Sequence, residues 1–209
     1  MIKVLNLYSG IGGNRKLWTD VEVTAIELDP KIAKIYQDFF PKDKVIVADA
    51  HKYLLDHFSE FDFIWSSPPC PSHSKVRFIA TYTKDGNIRQ KPIYPDMKLY
   101  EEILLLKHYF RGKYCVENVV GYYDPLIKPQ EFGMHYFWTN FYVRVIKSKT
   151  RGHYDDIATL ENIKGFDLTK YNISNKRVIL RNCVKPELGL HILEASKKNL
   201  YPDLFKNNI

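Results

Sequence analysis

Five short runs rich in β-branched and apolar residues recur over the first two thirds of the chain: Val4 to Leu7, Val21 to Ile26, Val45 to Ala48, Phe61 to Trp65 and Tyr114 to Val116. Helix-like stretches separate them. This alternation restricts the fold more than any other feature, because strands joined through helices pair in parallel and the helices then cover the sheet. The expected architecture is α/β, a mostly parallel sheet flanked by helices, and 209 residues suit one domain over 1–209 with little room for a second. Lys, Asp or Glu break the apolar stretches well short of membrane-spanning length, and Met1-Ile2-Lys3-Val4 reads directly into a strand, so neither a leader nor an anchor is expected.

Helix boundaries are marked at several points. Asp29 is placed to accept from free backbone N–H groups while Pro30 fills the first turn, and Ile32, Ile35 and Tyr36 follow at helical spacing. A second helix is expected from about Met97 to Phe110, and a last one from Pro186 to Lys198 with lysines suited to its C-terminus. Phe137 to Ile146, aromatic and β-branched, reads as a late hairpin or paired strands. Residues 147–177 are more polar and less periodic, and read as a small insertion.

The first strand runs into Tyr8-Ser9-Gly10-Ile11-Gly12-Gly13, after which a helix pattern is expected. Glycines there let the backbone turn sharply and approach a ligand closely, although tight turns also use glycine for geometry alone. The next two strands favour a ligand, since one ends at the acid Glu27 and the other at Asp49. An acid at a strand end of an open α/β sheet accepts hydrogen bonds from ribose hydroxyls. Gly13 is followed by Asn14-Arg15-Lys16 and not by the Lys-Ser/Thr of a triphosphate loop, so a nucleoside without a polyphosphate suits the turn better.

The fourth strand ends in Trp65-Ser66-Ser67-Pro68-Pro69-Cys70, and the fifth in Cys115-Val116-Glu117-Asn118-Val119. Two prolines stiffen the exit and present Cys70 at the edge that carries the glycine turn. A buried inert thiol is the commoner fate of a cysteine, but this position favours a nucleophile.

Together these segments resemble the DNA cytosine-5 methyltransferase family, in particular its compact phage or prophage members. Tyr8 to Gly13 is similar to the first motif of that family, Pro68-Pro69-Cys70 to its nucleophile motif and Glu117-Asn118-Val119 to its Glu-Asn-Val motif. Arg181-Asn182-Cys183-Val184-Lys185-Pro186 resembles the segment that returns to the cofactor pocket. The resemblance implies a Rossmann-like S-adenosylmethionine-dependent methyltransferase fold, transfer of a methyl group to cytosine C5, and S-adenosylhomocysteine as second product. It implies Cys70, Glu117 and Asn118 as catalytic residues, Cys70 adding to C6 and Glu117 protonating N3. Around the cofactor it implies Tyr8, Ser9, Gly10, Ile11, Gly12, Gly13, Glu27, Leu28, Asp49, Ala50, Pro69, Asn182 and Val184, with Glu27 on the ribose and Asp49 on the adenine.

The implied partner is DNA with a flipped or single-stranded cytosine, because the face attacked is inaccessible within a duplex. A net charge of +7 suits a phosphate-rich partner, although a basic solvated surface is an alternative. Ser74, Lys75, Arg77 and Arg89, and in the 147–177 insertion Lys149 and Arg151, are the expected nucleic-acid contacts, with an ordinary basic loop as the alternative for each segment. That insertion is the only stretch available for target recognition. The Gln-x-Arg-x-Arg motif of larger family members is missing, and His135 is the expected substitute in its region, with a merely packed histidine as the alternative. Arg181 replaces the usual glycine before Asn182.

Other readings are weaker. A tRNA cytosine methyltransferase uses the same framework and stays open. Methylation of amino groups is disfavoured, since Ser67 and Cys70 occupy the places of the acidic or amide residue and the aromatic that such enzymes place around two prolines. A non-catalytic regulator would not be expected to keep both a nucleophile and an acid. Zinc through Cys70 and His73 lacks a second ligand pair, so no metal is expected. The three cysteines are far apart without a CxxC pair, which suits a reducing cytoplasm, and no membrane partner is expected.

Overall fold

A computed structural model describes residues 1–145 and 156–198. Lys149 and Arg151 lie outside the described residues.

Among the described residues, seven strands form one sheet in the order β3-β2-β1-β4-β5-β7-β6. The parallel part consists of β1 (Ile2–Leu7), β2 (Val21–Glu27), β3 (Lys44–Val47), β4 (Phe63–Ser66) and β5 (Lys113–Val119). A hairpin of β6 (Gln130–Phe132) and β7 (His135–Thr139) completes it, with β7 antiparallel to β5. The helices are α1 (Pro30–Phe39), α2 (Ala50–His57), α3 (Lys75–Ala80), α4 (Lys98–Tyr109), α5 (Ile157–Lys164), α6 (Lys176–Asn182) and α7 (Pro186–Lys197). The mostly parallel Rossmann-like sheet with flanking helices is the fold that the alternation implied.

Side chains alternate across the strands, so each central strand feeds two cores. Leu5, Leu7, Ile64 and Val116 pack with Leu54 of α2 and with Leu99, Ile103 and Leu106 of α4. Val4, Phe63, Trp65 and Cys115 point the other way, onto Ile192 and Leu193 of α7. Cys115 is fully buried there, the inert role common for a cysteine.

Two expectations are corrected, and a third segment adds to the core. No helix follows the glycine turn: residues 14–17 form successive turns. Side chains hold that segment in place of a helical ladder, with Asn14 paired to Asn6 at 2.7 Å and Arg15 bonded to Asp43 and to the Trp18 carbonyl. The late hairpin begins upstream of the expected 137–146 and covers 130–139, because Gly133 adopts φ +70° and supplies the turn between its strands; Ile146 lies outside the described residues. The polar stretch 147–177 is not all excursion. Its described part contains Leu160, Phe166 and Leu168, which join Ile11, Ile35 and Leu180 in a third buried cluster. α5 has an Asp156 cap at its start and Gly165 at φ +69° at its end, so its boundaries are encoded locally.

Candidate active site

β1 and β4 are spatial neighbours, although β2 and β3 intervene in the chain. The direction of winding reverses between them, and a crevice opens outside the carboxyl ends of strands at such a switch point. The glycine turn leaves β1 on one side of it, and Pro68-Pro69-Cys70 leaves β4 on the other.

Gly12 in the turn has φ +86° and lies so close to Tyr36 and Phe40 that an added Cβ would strike both rings. Gly13 would strike the Cys183 thiol and the Val184 carbonyl, so the segment after α6 is packed directly on the turn. Gly10, at φ +54°, has nothing within 4 Å of where a Cβ would point. The turn is therefore closed underneath and open above. Ser9 carries a buried hydroxyl with no partner among the described residues, next to that opening. Glu27 accepts from the Gly10 N–H at 2.9 Å and from the Asp29 N–H at 3.0 Å. Asp49 caps α2 through the Lys52 N–H at 3.1 Å, and that bond is the main reason its carboxyl is held below the usual range. Ala50 is buried in the first turn of α2, whereas Leu28, 69% exposed, stands at the rim. Asn182, also exposed, ends α6 just before the Cys183–Val184 contact. An unpartnered hydroxyl, two acids on adjacent strand ends and a cradle without side chains fit a nucleoside-bearing cofactor such as S-adenosylmethionine. Tyr8, Ser9, Gly10, Glu27 and Asp49 are the residues that would hold it.

Opposite the turn, β4 pairs with β5 so that Ser66 faces Val116. The two strand ends are clipped together beyond the sheet by Asn118, whose Nδ2 donates to the Pro68 carbonyl at 3.0 Å. Its Oδ1 accepts from the Val119 N–H at 2.9 Å, so both ends of the amide bond the backbone. Asn118 thereby holds the nucleophile loop against β5. Pro68 is buried, Pro69 exposed and Cys70 half-buried. Burial, and then the nearby Glu117 carboxylate, push the Cys70 thiol up, so in the free protein it carries its proton at neutral pH. Glu117 is mostly buried, with His135 Nε2 3.6 Å from its Oε1. The register Glu117↔Phe137 and Val119↔His135 places the imidazole on a neighbouring strand at the position where the sequence sought a substitute for the missing arginines.

The segment after Cys70 begins with Ser74, bridged to Gly121, and continues as α3. Lys75 and Arg89 are exposed, and Arg77 is half-buried and bonded to Gln90. Phe78 stacks on Tyr122 at 4.5 Å, but Val76, Ile79 and Tyr94 remain exposed among the cations.

Sequence reasoning did not single out Glu102. This acid of α4 is 1% exposed and accepts from Tyr8, His51 and Ser66. Its signal was an acid on the apolar stripe of α4, three residues after Leu99 and four before Leu106.

Comparison with solved structures finds DNMT2 from Spodoptera frugiperda, at 19% identity with a TM-score of 0.45, over 84% of this chain and 62% of that one. The methyltransferase EhMeth of Entamoeba histolytica matches at 17% identity and TM-score 0.36, over 57% of this chain and 38% of that one. A SAM-dependent methyltransferase from Agrobacterium tumefaciens matches at 15% identity and TM-score 0.37, over 56% and 38%. The chain covers less than two thirds of the length of each of these three proteins. No curated protein matches it. Residues 2–85, which hold the glycine turn, Glu27, Asp49 and Pro68-Pro69-Cys70, match the model of the C-5 cytosine-specific DNA methylase family.

Proposed function

We propose that the chain is an S-adenosylmethionine-dependent methyltransferase that acts on C5 of cytosine in DNA through a covalent adduct of Cys70. The observation carrying this reading is that Cys70, half-buried near Glu117, follows a loop that Asn118 clips to β5, across a switch point from an open glycine turn.

Cytosine C5 is a poor nucleophile until the ring gains electrons. The Cys70 thiolate forms a bond to C6, and the C5–C6 π pair shifts into the ring. A proton from Glu117 at N3 neutralises the charge that develops there. The two acids are coupled, since the negative charge of Glu117 opposes thiolate formation in the free protein. That opposition is lifted when the Cys70 proton passes to Glu117: the carboxyl is then neutral, the thiolate forms where it is needed, and the same proton is the one given to N3. His135 lies beside the same carboxylate, where it orients Glu117 and offers a hydrogen bond toward the base. Bound S-adenosylmethionine supplies the electrophilic methyl group. Transfer of the C5 proton to solvent water then re-forms the C5–C6 double bond and expels the Cys70 thiolate, which regains its proton as the N3 proton returns through Glu117.

The target nucleotide must leave its stack for this chemistry. Exposed Val76, Ile79, Ile88 and Tyr94 interleaved with Lys75, Arg77 and Arg89 form a surface, next to the nucleophile, suited to unstacked bases and phosphates.

The test is transfer of labelled methyl to duplex DNA, single-stranded DNA and tRNA side by side, with Cys70→Ser as control. DNA is expected to be labelled and the variant to be inactive. Normal incorporation by Cys70→Ser refutes the nucleophile, and labelling of tRNA alone moves the substrate to RNA. A stable adduct with 5-fluorocytosine DNA reports the thiol step separately.

A further inference from the structure

Glu102 takes no part in the chemistry above, yet its buried carboxylate is the meeting point of three elements that do. Tyr8 donates its hydroxyl to Oε1 at 2.6 Å, and His51 Nδ1 lies 3.1 Å from the same oxygen. Ser66 donates to Oε2 at 2.5 Å. Tyr8 opens the glycine turn and sits at φ 53°, a conformation that is strained for any residue with a side chain. His51 lies in the first turn of α2, two residues after Asp49. Ser66 ends β4, four residues before Cys70.

A buried carboxylate is strongly unfavourable unless its oxygens are met by donors, and three converging donors meet this one. The arrangement holds His51 above its ordinary pKa, chiefly through its bond to Glu102, with Glu101 3.2 Å from its other nitrogen. Burial and Glu102 push the Tyr8 phenol far up, so it remains a donor. Moving any of the three donors unbalances the other two, because a shift of the carboxylate leaves another donor unmet.

We propose that Glu102 is a positioning residue that couples the two sides of the crevice, setting the cofactor turn and the nucleophile strand together through Tyr8, His51 and Ser66. The inference rests on the methyltransferase reading, in which a cofactor occupies the turn and Cys70 attacks. Occupation of the turn is then felt at Cys70 through one carboxylate.

The experiment measures S-adenosylhomocysteine affinity by calorimetry and the alkylation rate of Cys70, followed by mass spectrometry, with and without that ligand. The wild-type chain is expected to bind it and to change its Cys70 alkylation rate about fivefold or more on binding. Glu102→Gln is expected to bind about tenfold more weakly and, at saturation, to lose the change in alkylation. Ser66→Ala, which leaves the other two donors in place, is expected to keep the affinity within about twofold and still lose most of the change. If Glu102→Gln fails to fold, Ser66→Ala decides alone. Coupling that persists at wild-type size in whichever of the two variants folds overturns the proposal. A wild-type chain that binds no S-adenosylhomocysteine overturns the methyltransferase reading and the proposal with it, whereas binding without coupling overturns the proposal alone.

Discussion

Asn118→Ala cuts the clip that joins the nucleophile loop to β5, and its consequence can be worked from two bonds. Asn118 is 2% exposed, with Nδ2 on the Pro68 carbonyl at 3.0 Å and Oδ1 on the Val119 N–H at 2.9 Å. Alanine removes both partners. Pro68 is buried, so its carbonyl is left without a donor at a cost of about 1–3 kcal/mol, while the half-buried Val119 amide can turn to water and loses roughly 1 kcal/mol. The sum is about 2–4 kcal/mol. In a domain of this size each kcal/mol lowers Tm by about 2–4 °C, so a fall of roughly 10 °C is expected. Asn118→Asp keeps the Val119 acceptor but sets a carboxylate oxygen against the Pro68 carbonyl, so it should be at least as destabilised. With the loop loosened, Cys70 is no longer held at its attack position, and kcat should fall about 100-fold with little change in KM for the methyl donor. Urea unfolding gives the first quantity and steady-state kinetics the second. A Pro68 clip that matters is refuted if Asn118→Asp unfolds at the wild-type midpoint.

Two further outcomes follow from the geometry. Glu117→Gln removes the charge that helps to raise the Cys70 thiol, so the pH midpoint of Cys70 alkylation should move down, leaving only the upward effect of burial; an unchanged or higher midpoint would mean that the two groups do not interact. Gly189→Ala lies inside α7, where alanine ordinarily stabilises a helix by about 1 kcal/mol. An added Cβ here would overlap the Asn14 backbone, so the variant should instead lose about 1–3 kcal/mol by chemical denaturation.

The legibility of this protein differed from element to element. Strands β1, β2, β4 and β5 were readable because central parallel strands bury their faces and stand out as apolar runs, and the edge strand β3 was readable from its short apolar run alone. α1 was readable from Asp29, Pro30 and the spacing of Ile32, Ile35 and Tyr36, and the cap bond to the Lys31 N–H at 2.8 Å follows that reading. The stretch after the glycine turn misled, because what holds it are pairings distant in sequence, such as Arg15 with Asp43. The hairpin shifted because a glycine at positive φ, not the richest aromatic run, sets a turn. His135 could be nominated from its region, but its distance to Glu117 depends on strand register, which one residue of slip would reverse. Asn118 could be named from its motif, but not the backbone carbonyl that it would bind.

Sequence alone determined the order of the chemical groups: a glycine turn, two acids, a cysteine and a further acid, each at the end of a strand. This is local information, since strand ends and turns are written in neighbouring residues. Tertiary structure decided which of those ends face one another, through the strand order that sets β1 beside β4. It also decided that Glu102 would serve as a junction, because burying a charge requires donors that only converging elements can bring.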